Sequence, residues 1–142
     1  MGRMAPRYFT AEEANAALDE LRPLAEEMVE RRQALVMAQE RRASLGAQVV
    51  TNGGDLTPSD FAEADEELEQ AATELARVVE RIQSEGVLIK DLDRGLLDFP
   101  ALRDGEEILL CWQLGEDRVE FWHGVEEGFA GRKPLSDLDA PA

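Results

Sequence analysis

The chain contains few of the residues on which crosslinks, metal sites and acid–base chemistry depend. It has one cysteine, Cys111, and one histidine, His123, among 142 residues. A single cysteine cannot form a disulfide within the chain, which excludes a disulfide framework of the secreted type. One cysteine and one histidine are also too few for a structural zinc site of the usual cysteine–histidine composition. We therefore expect neither a metal nor a cofactor.

Positive charge and long apolar segments are also scarce. The chain has 15 Lys and Arg residues against 31 Asp and Glu residues, and its formal net charge is −16. Nucleic acids and anionic membranes are bound through clustered positive charge, so we expect neither as a partner. No apolar run approaches the ~20 residues of a transmembrane helix, and the N-terminus lacks the apolar core of a signal peptide. The sequence predicts a small acidic cytoplasmic protein.

Two helices are predicted in the first part of the chain. Thr10 and Glu13 form a capping-box pattern, which marks a helix start, and strong helix formers continue to about residue 47. Pro23 predicts a kink or a break in this helix. The clearest predicted turn is at residues 50–55, which contain Asn and two Gly. The second helix should begin at Thr57 or Ser59.

Apolar residues in the second helix recur every seven positions, with a second set three positions later. They are Phe61, Leu68, Leu75 and Ile82, and Ala64, Ala71 and Val78. This spacing is typical of a helix that packs along a partner helix. We expect the stripe to face Leu24, Met28 and Leu35 of the first helix, in a long antiparallel, coiled-coil-like hairpin.

Charge supports the same pairing. Four arginines lie late in the first helix, and six acidic residues lie early in the second: Arg31, Arg32, Arg41 and Arg42, and Asp60, Glu63, Asp65, Glu66, Glu67 and Glu69. An antiparallel hairpin places these stretches side by side. We interpret the arginines as partners of the acidic helix; the alternative, a nucleic-acid patch, is disfavoured by the net charge.

The pattern changes after Gly86 to short apolar runs, which predict three to four antiparallel strands. A two-residue turn at Glu116 and Asp117 would place Leu110 opposite His123. In that register His123 lies on the apolar face of the sheet, and Trp112 and Trp122 point to opposite faces. The predicted class is α+β, with a helical hairpin at 1–86 and a small β-rich domain with an acidic tail at 87–142.

Two residues of the β-rich part could take part in catalysis. His123 carries the only side chain whose ordinary pKa lies near neutrality, although a packed, hydrogen-bonded imidazole is the alternative. Asp91 lies in a loop with Asp93 and Asp98. Clustered carboxylates could bind a hard cation, but the loop lacks the spacing of a calcium site. The favoured alternative is that these carboxylates cap the backbone or pair with Lys90 and Arg94.

A glycine-rich segment near the C-terminus could bind a small anion. Gly128 and Gly131 offer backbone N–H groups beside Arg132, and Arg94 is a further candidate cation. The alternative is a turn whose basic residues neutralise nearby acids.

Four segments together resemble a known family: residues 9–15, 90–99, 110–116 and 121–135. The most specific part is Phe121-Trp122-His123 with the trailing Gly131-Arg132. The chain resembles a family of small uncharacterised prokaryotic proteins, domain of unknown function 2203. This resemblance implies a helical hairpin followed by a β-rich region. It implies no activity, so no catalytic residue is transferred from it.

The functional hypothesis is a non-enzymatic protein-interaction or self-association module. A two-helix hairpin leaves part of its apolar surface open, which favours a homodimer or a protein partner on that surface. The alternative is a small-ligand or metal-dependent enzyme with a site around His123, Asp91, Arg94 and Arg132. That alternative requires these four residues to converge in one concave pocket.

Overall fold

A computed structural model of the chain describes residues 7–52 and 56–138. Two helices are followed by five strands: α1 (Ala11–Asn52), α2 (Pro58–Ser84), β1 (Leu88–Asp91), β2 (Leu96–Arg103), β3 (Glu106–Gln113), β4 (Phe121–Gly124) and β5 (Lys133–Pro134). The strands form one antiparallel sheet in chain order. The predicted α+β class is confirmed, and the sheet includes a fifth strand of two residues. Neither described helix is both long and apolar enough to cross a membrane.

The first helix begins where its capping box predicts. The Glu13 N–H donates to Thr10 Oγ1 at 3.0 Å, and the Thr10 N–H donates to Glu13 Oε1 at 3.0 Å. The second of these bonds is the main cause of a lowered pKa at the Glu13 carboxyl. The helix continues unbroken through Pro23 as far as Asn52. The turn predicted at 50–55 is therefore partly helical, and residues 53–55 lie outside the described residues.

The two helices pack in the predicted antiparallel hairpin, but the apolar side chains between them are not equally buried along its length. The buried residues of α2 are Ala64, Ala71, Leu75, Val78 and Ile82. Met28 of α1 is also buried, and Leu24 and Leu35 pack against the core. Phe61 and Leu68, which belong to the predicted stripe, are only half-buried. The sheet adds a third layer over the end of the hairpin formed by the start of α1 and the end of α2. Within residues 7–52 and 56–138, the opposite end consists of the two helices alone.

Ion pairs join the helices as the charge pattern predicts. Arg41 pairs with Glu67 at 2.9 Å and Arg42 with Asp65 at 2.6 Å. Arg31 reaches Glu74 at 2.7 Å, one turn beyond the predicted acidic stretch. Arg32 pairs instead with Asp93, in the loop between β1 and β2, at 3.1 Å. Exposed pairs of this kind stabilise by only ~0.2–1 kcal/mol each, and together they favour one register.

The first turns of α1 pack against the sheet. Leu18 and Leu21 of α1 join Trp112 and Trp122 of the sheet in one buried cluster that also includes α2 residues. Just before α1, the Phe9 ring meets Phe99 of β2 edge to face, with centroids 5.2 Å apart. The hairpin and the sheet thus share one core. The division into domains 1–86 and 87–142 remains a prediction.

The predicted register of β3 and β4 is wrong by one residue. Leu110 lies opposite Trp122, and His123 lies opposite Leu109. Because side chains alternate between the two faces of a sheet, this shift exchanges the faces of every β4 residue. Both tryptophans therefore lie on the core face of the sheet, which packs against the helices. His123 lies on the opposite face, here called the outer face.

The β3–β4 connection explains the error. It is a seven-residue loop, 114–120, rather than a two-residue turn. Two side chains of α1 hold it. Asn15 accepts a hydrogen bond from the Val119 N–H at 2.7 Å and donates to the Val119 carbonyl at 3.2 Å. Arg22 donates to the carbonyls of Glu116 at 2.9 Å and Asp117 at 2.7 Å. These contacts satisfy the loop backbone and make the longer connection stable.

Candidate functional site

Asp98, Cys111 and His123 meet on the outer face of the sheet. Strand pairing places Asp98 of β2 opposite Cys111 of β3, and His123 of β4 opposite Leu109 of β3. Leu109 and Cys111 are two residues apart and share a face, so all three polar side chains project to the same side. Their Oδ, Sγ and ring nitrogen atoms lie within 4.8 Å of one another. The three residues are 1%, 0% and 3% exposed, respectively.

The hydrogen bonds of His123 determine which ring nitrogen carries a proton. Nδ1 lies 2.9 Å from the carbonyl oxygen of Gly124, and Nε2 lies 3.1 Å from Oδ2 of Asp98. A carbonyl oxygen only accepts, so Nδ1 must donate. Nε2 then faces a carboxylate oxygen. Two acceptors at this distance require a proton or a cation between them.

The second carboxylate oxygen of Asp98 adds to this requirement. Asp98 Oδ1 is fully buried and has no hydrogen-bond partner among the described residues. Leaving a buried charged oxygen unpartnered is costly, and such atoms are few in native proteins. The site therefore has unused capacity to accept a donor or to bind a cation.

Cys111 is not poised as a nucleophile in this arrangement. Burial, followed by the charge of Asp98, raises the pKa of the thiol from 9.0 to about 12. The thiolate is the reactive form of cysteine, and it is not formed at neutral pH under these conditions. Moreover, the ring nitrogens of His123 are directed at Gly124 and Asp98. The cluster does not form the activated Cys–His pair of a thiol hydrolase.

A cavity of about 280 Å³ lies against this cluster. Asp98 and His123 contribute to its wall, together with Lys90 of β1 and Glu127 and Phe129 of the segment that follows β4. A larger cleft of about 780 Å³, between the end of α2 and β1, contains none of the candidate site residues. The smaller cavity is therefore the one that the cluster lines, through Asp98 and His123.

Arg132, predicted to bind an anion, makes its contacts with aromatic rings and oxygen atoms of the protein. Its guanidinium lies 4.0 Å from the centroid of Phe121 and 4.4 Å from that of Phe129. It donates to Glu116 Oε1 at 2.8 Å and to the Cys111 carbonyl at 3.4 Å. Burial is the largest single influence on the pKa of Arg132 and works to lower it. The hydrogen bonds and charge interactions with Glu116 and Cys111 together outweigh burial, so the pKa is raised. These contacts give Arg132 a clear structural role.

Arg94 and Asp91 are also engaged in local contacts. The Arg94 guanidinium lies 4.4 Å from the centroid of Phe129 and donates to Gln113 Oε1 at 2.9 Å. Asp91 Oδ1 accepts the backbone N–H groups of Asp93 at 2.9 Å and Arg94 at 3.0 Å. Asp91 thus caps a turn, as one of the two sequence interpretations holds. It does not line the cavity beside His123.

The two candidate glycines, Gly128 and Gly131, belong to a segment that Glu127 stabilises through hydrogen bonds. The Gly131 N–H donates to the Gly128 carbonyl at 2.9 Å, so it is not free for an anion. A side chain at Gly131 would meet Glu127 at 2.8 Å. Glu127 Oε1 accepts from Lys133 Nζ at 2.7 Å and from the Gly124 N–H at 3.0 Å. These two bonds lower the pKa of Glu127, the Lys133 bond most strongly.

The four polar residues of the enzyme hypothesis do not converge in one pocket. His123 joins Asp98 and Cys111, neither of which was predicted as a site residue. One sequence signal was available for Asp98: it interrupts an otherwise uncharged run, residues 96–102, that is mostly apolar. A charged residue in such a strand needs a partner. Cys111 gives no comparable signal, because buried cysteines commonly act as small apolar residues.

Comparison with known proteins adds the family alone. No curated protein and no solved structure matches the chain significantly. A family model described as "Uncharacterized conserved protein (DUF2203)" matches residues 7–135, which is nearly the whole chain. The protein therefore belongs to this family of uncharacterised conserved proteins.

Proposed function

We propose that the protein is a non-enzymatic, cytoplasmic self-association module. In this proposal the outer half of the helical hairpin, residues 31–52 of α1 and 58–74 of α2, pairs with a second copy. The observation that carries the proposal is the uneven cover of the hairpin. Leu75, Val78 and Ile82 are buried near the sheet, whereas Phe61 and Leu68 are half-buried farther out. Met37 is 68% exposed on the same half.

Apolar residues in the outer half continue the heptad stripe without a third layer above it. Leu35 and Leu45 of α1 are half-buried, like Phe61 and Leu68 of α2. Residues seven positions apart lie on one side of a helix, so Phe61 and Leu68 form one strip. A second hairpin against this strip would complete a four-helix bundle, the usual way to bury such a surface.

Charge favours a second copy over other partners. In the outer half, residues 31–52 of α1 contain four arginines and one glutamate. Residues 58–74 of α2 contain seven acidic residues and no basic residue. Arg31, Arg41 and Arg42 already pair with carboxylates of their own chain. A two-fold arrangement that places α1 of one copy beside α2 of the other keeps these pairs and sets each basic stretch beside a second acidic stretch, so the paired charges can be shared across the interface.

The same contacts argue against the two other functional classes. The arginines that could bind nucleic acid are paired with carboxylates: Arg31, Arg32, Arg41 and Arg42. The enzyme alternative loses support because Asp91, Arg94 and Arg132 are engaged in structural contacts away from the imidazole of His123.

The test is sedimentation velocity over a range of concentrations, on the parent chain and on Leu68→Glu. The substitution places a charge in the half-buried strip. The concentration for half-association should rise roughly tenfold or more, since the loss of one central contact is worth at least ~1.4 kcal/mol. Added salt should weaken association of the parent, because it screens the α1–α2 charge match.

Ala62→Glu is the matched control. Ala62 is exposed and follows Phe61, so it points to another side of α2. It should leave association unchanged while adding the same charge. Circular dichroism melts of both variants establish that the hairpin remains folded. Equal association of all three proteins would overturn the proposed interface.

A further inference from the structure

We propose that Asp98, Cys111 and His123 form a binding site for a transition-metal ion of the zinc type. The ligand atoms are a carboxylate oxygen, the sulfur of Cys111 and the Nε2 nitrogen of an imidazole. Cys111 binds as the thiolate, because the metal displaces the thiol proton, which is released to solvent. This inference is independent of the proposed self-association, because the cluster lies on the outer face of the sheet and not on the outer half of the hairpin.

The ligand set selects the class of metal. Sulfur and imidazole nitrogen bind zinc, cobalt and related ions, whereas calcium and magnesium prefer oxygen ligands. Zinc sites with three protein ligands leave a fourth position open for water or another small ligand. The cavity of about 280 Å³ beside Asp98 and His123 lies where such a ligand could enter.

The spacing of the side chains is close to what a metal requires. The three ligand atoms lie within 4.8 Å of one another, and Nε2 and Oδ2 are 3.1 Å apart. With metal–ligand distances of about 2.0–2.3 Å, tetrahedral ligand atoms lie about 3.5 Å apart. Side-chain movements of about 1 Å therefore bring the cluster to metal-binding geometry.

Two further observations point to an ion rather than to simple packing. Asp98 Oδ1 is buried without a hydrogen-bond partner among the described residues, and coordination of a cation by this carboxylate would compensate for its burial. His123 directs Nε2 at the cluster because Nδ1 is fixed on the Gly124 carbonyl at 2.9 Å. A histidine that binds a metal typically donates its other N–H to a backbone carbonyl or a carboxylate in this way.

The test uses the full chain, freed of metal by a chelator and titrated with cobalt(II) and then with zinc(II) chloride. We expect one ion per chain by equilibrium dialysis with elemental analysis. The cobalt form should show a thiolate-to-cobalt charge-transfer band and the intense visible bands of a four-coordinate site. Zinc should displace the cobalt and remove both spectral features.

Three substitutions locate the ion. Cys111→Ser should abolish the charge-transfer band, and Asp98→Asn and His123→Gln should each weaken zinc binding by about 100-fold or more. Asp117→Asn, on an exposed carboxylate of the β3–β4 loop, is the control and should change nothing. Circular dichroism checks that each variant folds. If a variant does not fold, the cobalt spectrum of the parent still tests whether a thiolate binds the ion. Absence of stoichiometric cobalt binding by the parent, or binding without the charge-transfer band, would overturn the proposal.

Discussion

His123 and Asp98 face each other across the width of β3, with ring Nε2 3.1 Å from carboxylate Oδ2. The side chains are 4% and 1% exposed. Because the Gly124 carbonyl already fixes the other ring nitrogen, the pair must share a proton or a cation. A buried pair of this kind makes each partner dependent on the other.

The mutual dependence of Asp98 and His123 can be measured as a change in the free energy of unfolding in metal-free buffer. Asp98→Ala should lower the free energy of unfolding by ~3–5 kcal/mol, because the imidazole is left buried without its partner. The double variant Asp98→Leu/His123→Leu should be more stable than Asp98→Ala, since it removes both polar groups together. Urea unfolding checks both. A loss below ~1 kcal/mol for Asp98→Ala would show that the pair is dispensable.

Shortening an apolar side chain of the hairpin should destabilise the protein more where that side chain is more deeply buried. Leu75 is 7% exposed, and Leu75→Ala should cost ~2–5 kcal/mol, the usual loss for a buried leucine. Leu68 is half-buried, and Leu68→Ala should cost less than half as much at concentrations where the chain is monomeric. Thermal and urea unfolding compare the two. Equal losses would mean that the outer half of the hairpin is packed as tightly as the inner half.

Asn15 should hold the β3–β4 loop through its two contacts with Val119. Asn15→Ala removes the acceptor of a buried N–H and should cost ~1–3 kcal/mol. Asn15→Asp keeps that acceptor and loses only the donated bond, so its loss should be smaller. Hydrogen exchange at the Val119 amide should accelerate most in the alanine variant. Similar exchange in all three proteins would contradict the role of this contact.

In metal-free buffer, Cys111 should make the protein sensitive to alkaline pH. The thiol pKa is about 12 in the fold, against an ordinary value of 9.0. Between these values the unfolded chain loses the thiol proton while the folded chain keeps it. The stabilisation from the neutral thiol is complete below pH 9.0 and is lost as pH rises toward 12. The slope is at most ~1.4 kcal/mol per pH unit.

Cys111→Ala isolates this effect, because it leaves every other alkaline group in place. The difference in unfolding free energy between the parent and the variant should shrink steadily across that range. A difference that stays constant with pH would mean that the thiol ionises equally in both states.

Arg132 should behave as a structural residue and not as an anion anchor. Arg132→Ala removes two ring contacts and the bond to Glu116, and should cost ~1–3 kcal/mol. Arg118→Ala, at an exposed arginine of the β3–β4 loop, should stay within ~0.5 kcal/mol of the parent. Phosphate should stabilise neither the parent nor the variants in thermal-shift assays. Phosphate stabilisation that is lost only in Arg132→Ala would restore the anion-site interpretation.

The helices and the strands were predictable because their signals are local. The capping box at Thr10 and Glu13, the heptad stripe and the opposed charges each depend on residues close in sequence. The hairpin register also follows from them, since Arg41 and Arg42 reach the predicted acidic stretch.

The sheet register was not predictable because its determinant is distant. Asn15 contacts Val119 and Arg22 contacts Glu116, across 104 and 94 positions of the chain. These bonds favour the long loop, and nothing in residues 107–123 reveals them. The alternation of apolar residues did not correct the error. The outer face is itself partly apolar, with Leu96 and Leu109 buried beside Asp98. The cluster of Asp98, Cys111 and His123 depends on this register and was missed with it.

Self-association through the outer half of the hairpin is the central claim, and sedimentation equilibrium of the unmodified chain tests it most directly. The chain has a mass of 15.8 kDa. A two-fold interface closes on itself, so the measured mass should rise with concentration to twice this value and no further. A mass that stays at that of one chain at every concentration would contradict the claim.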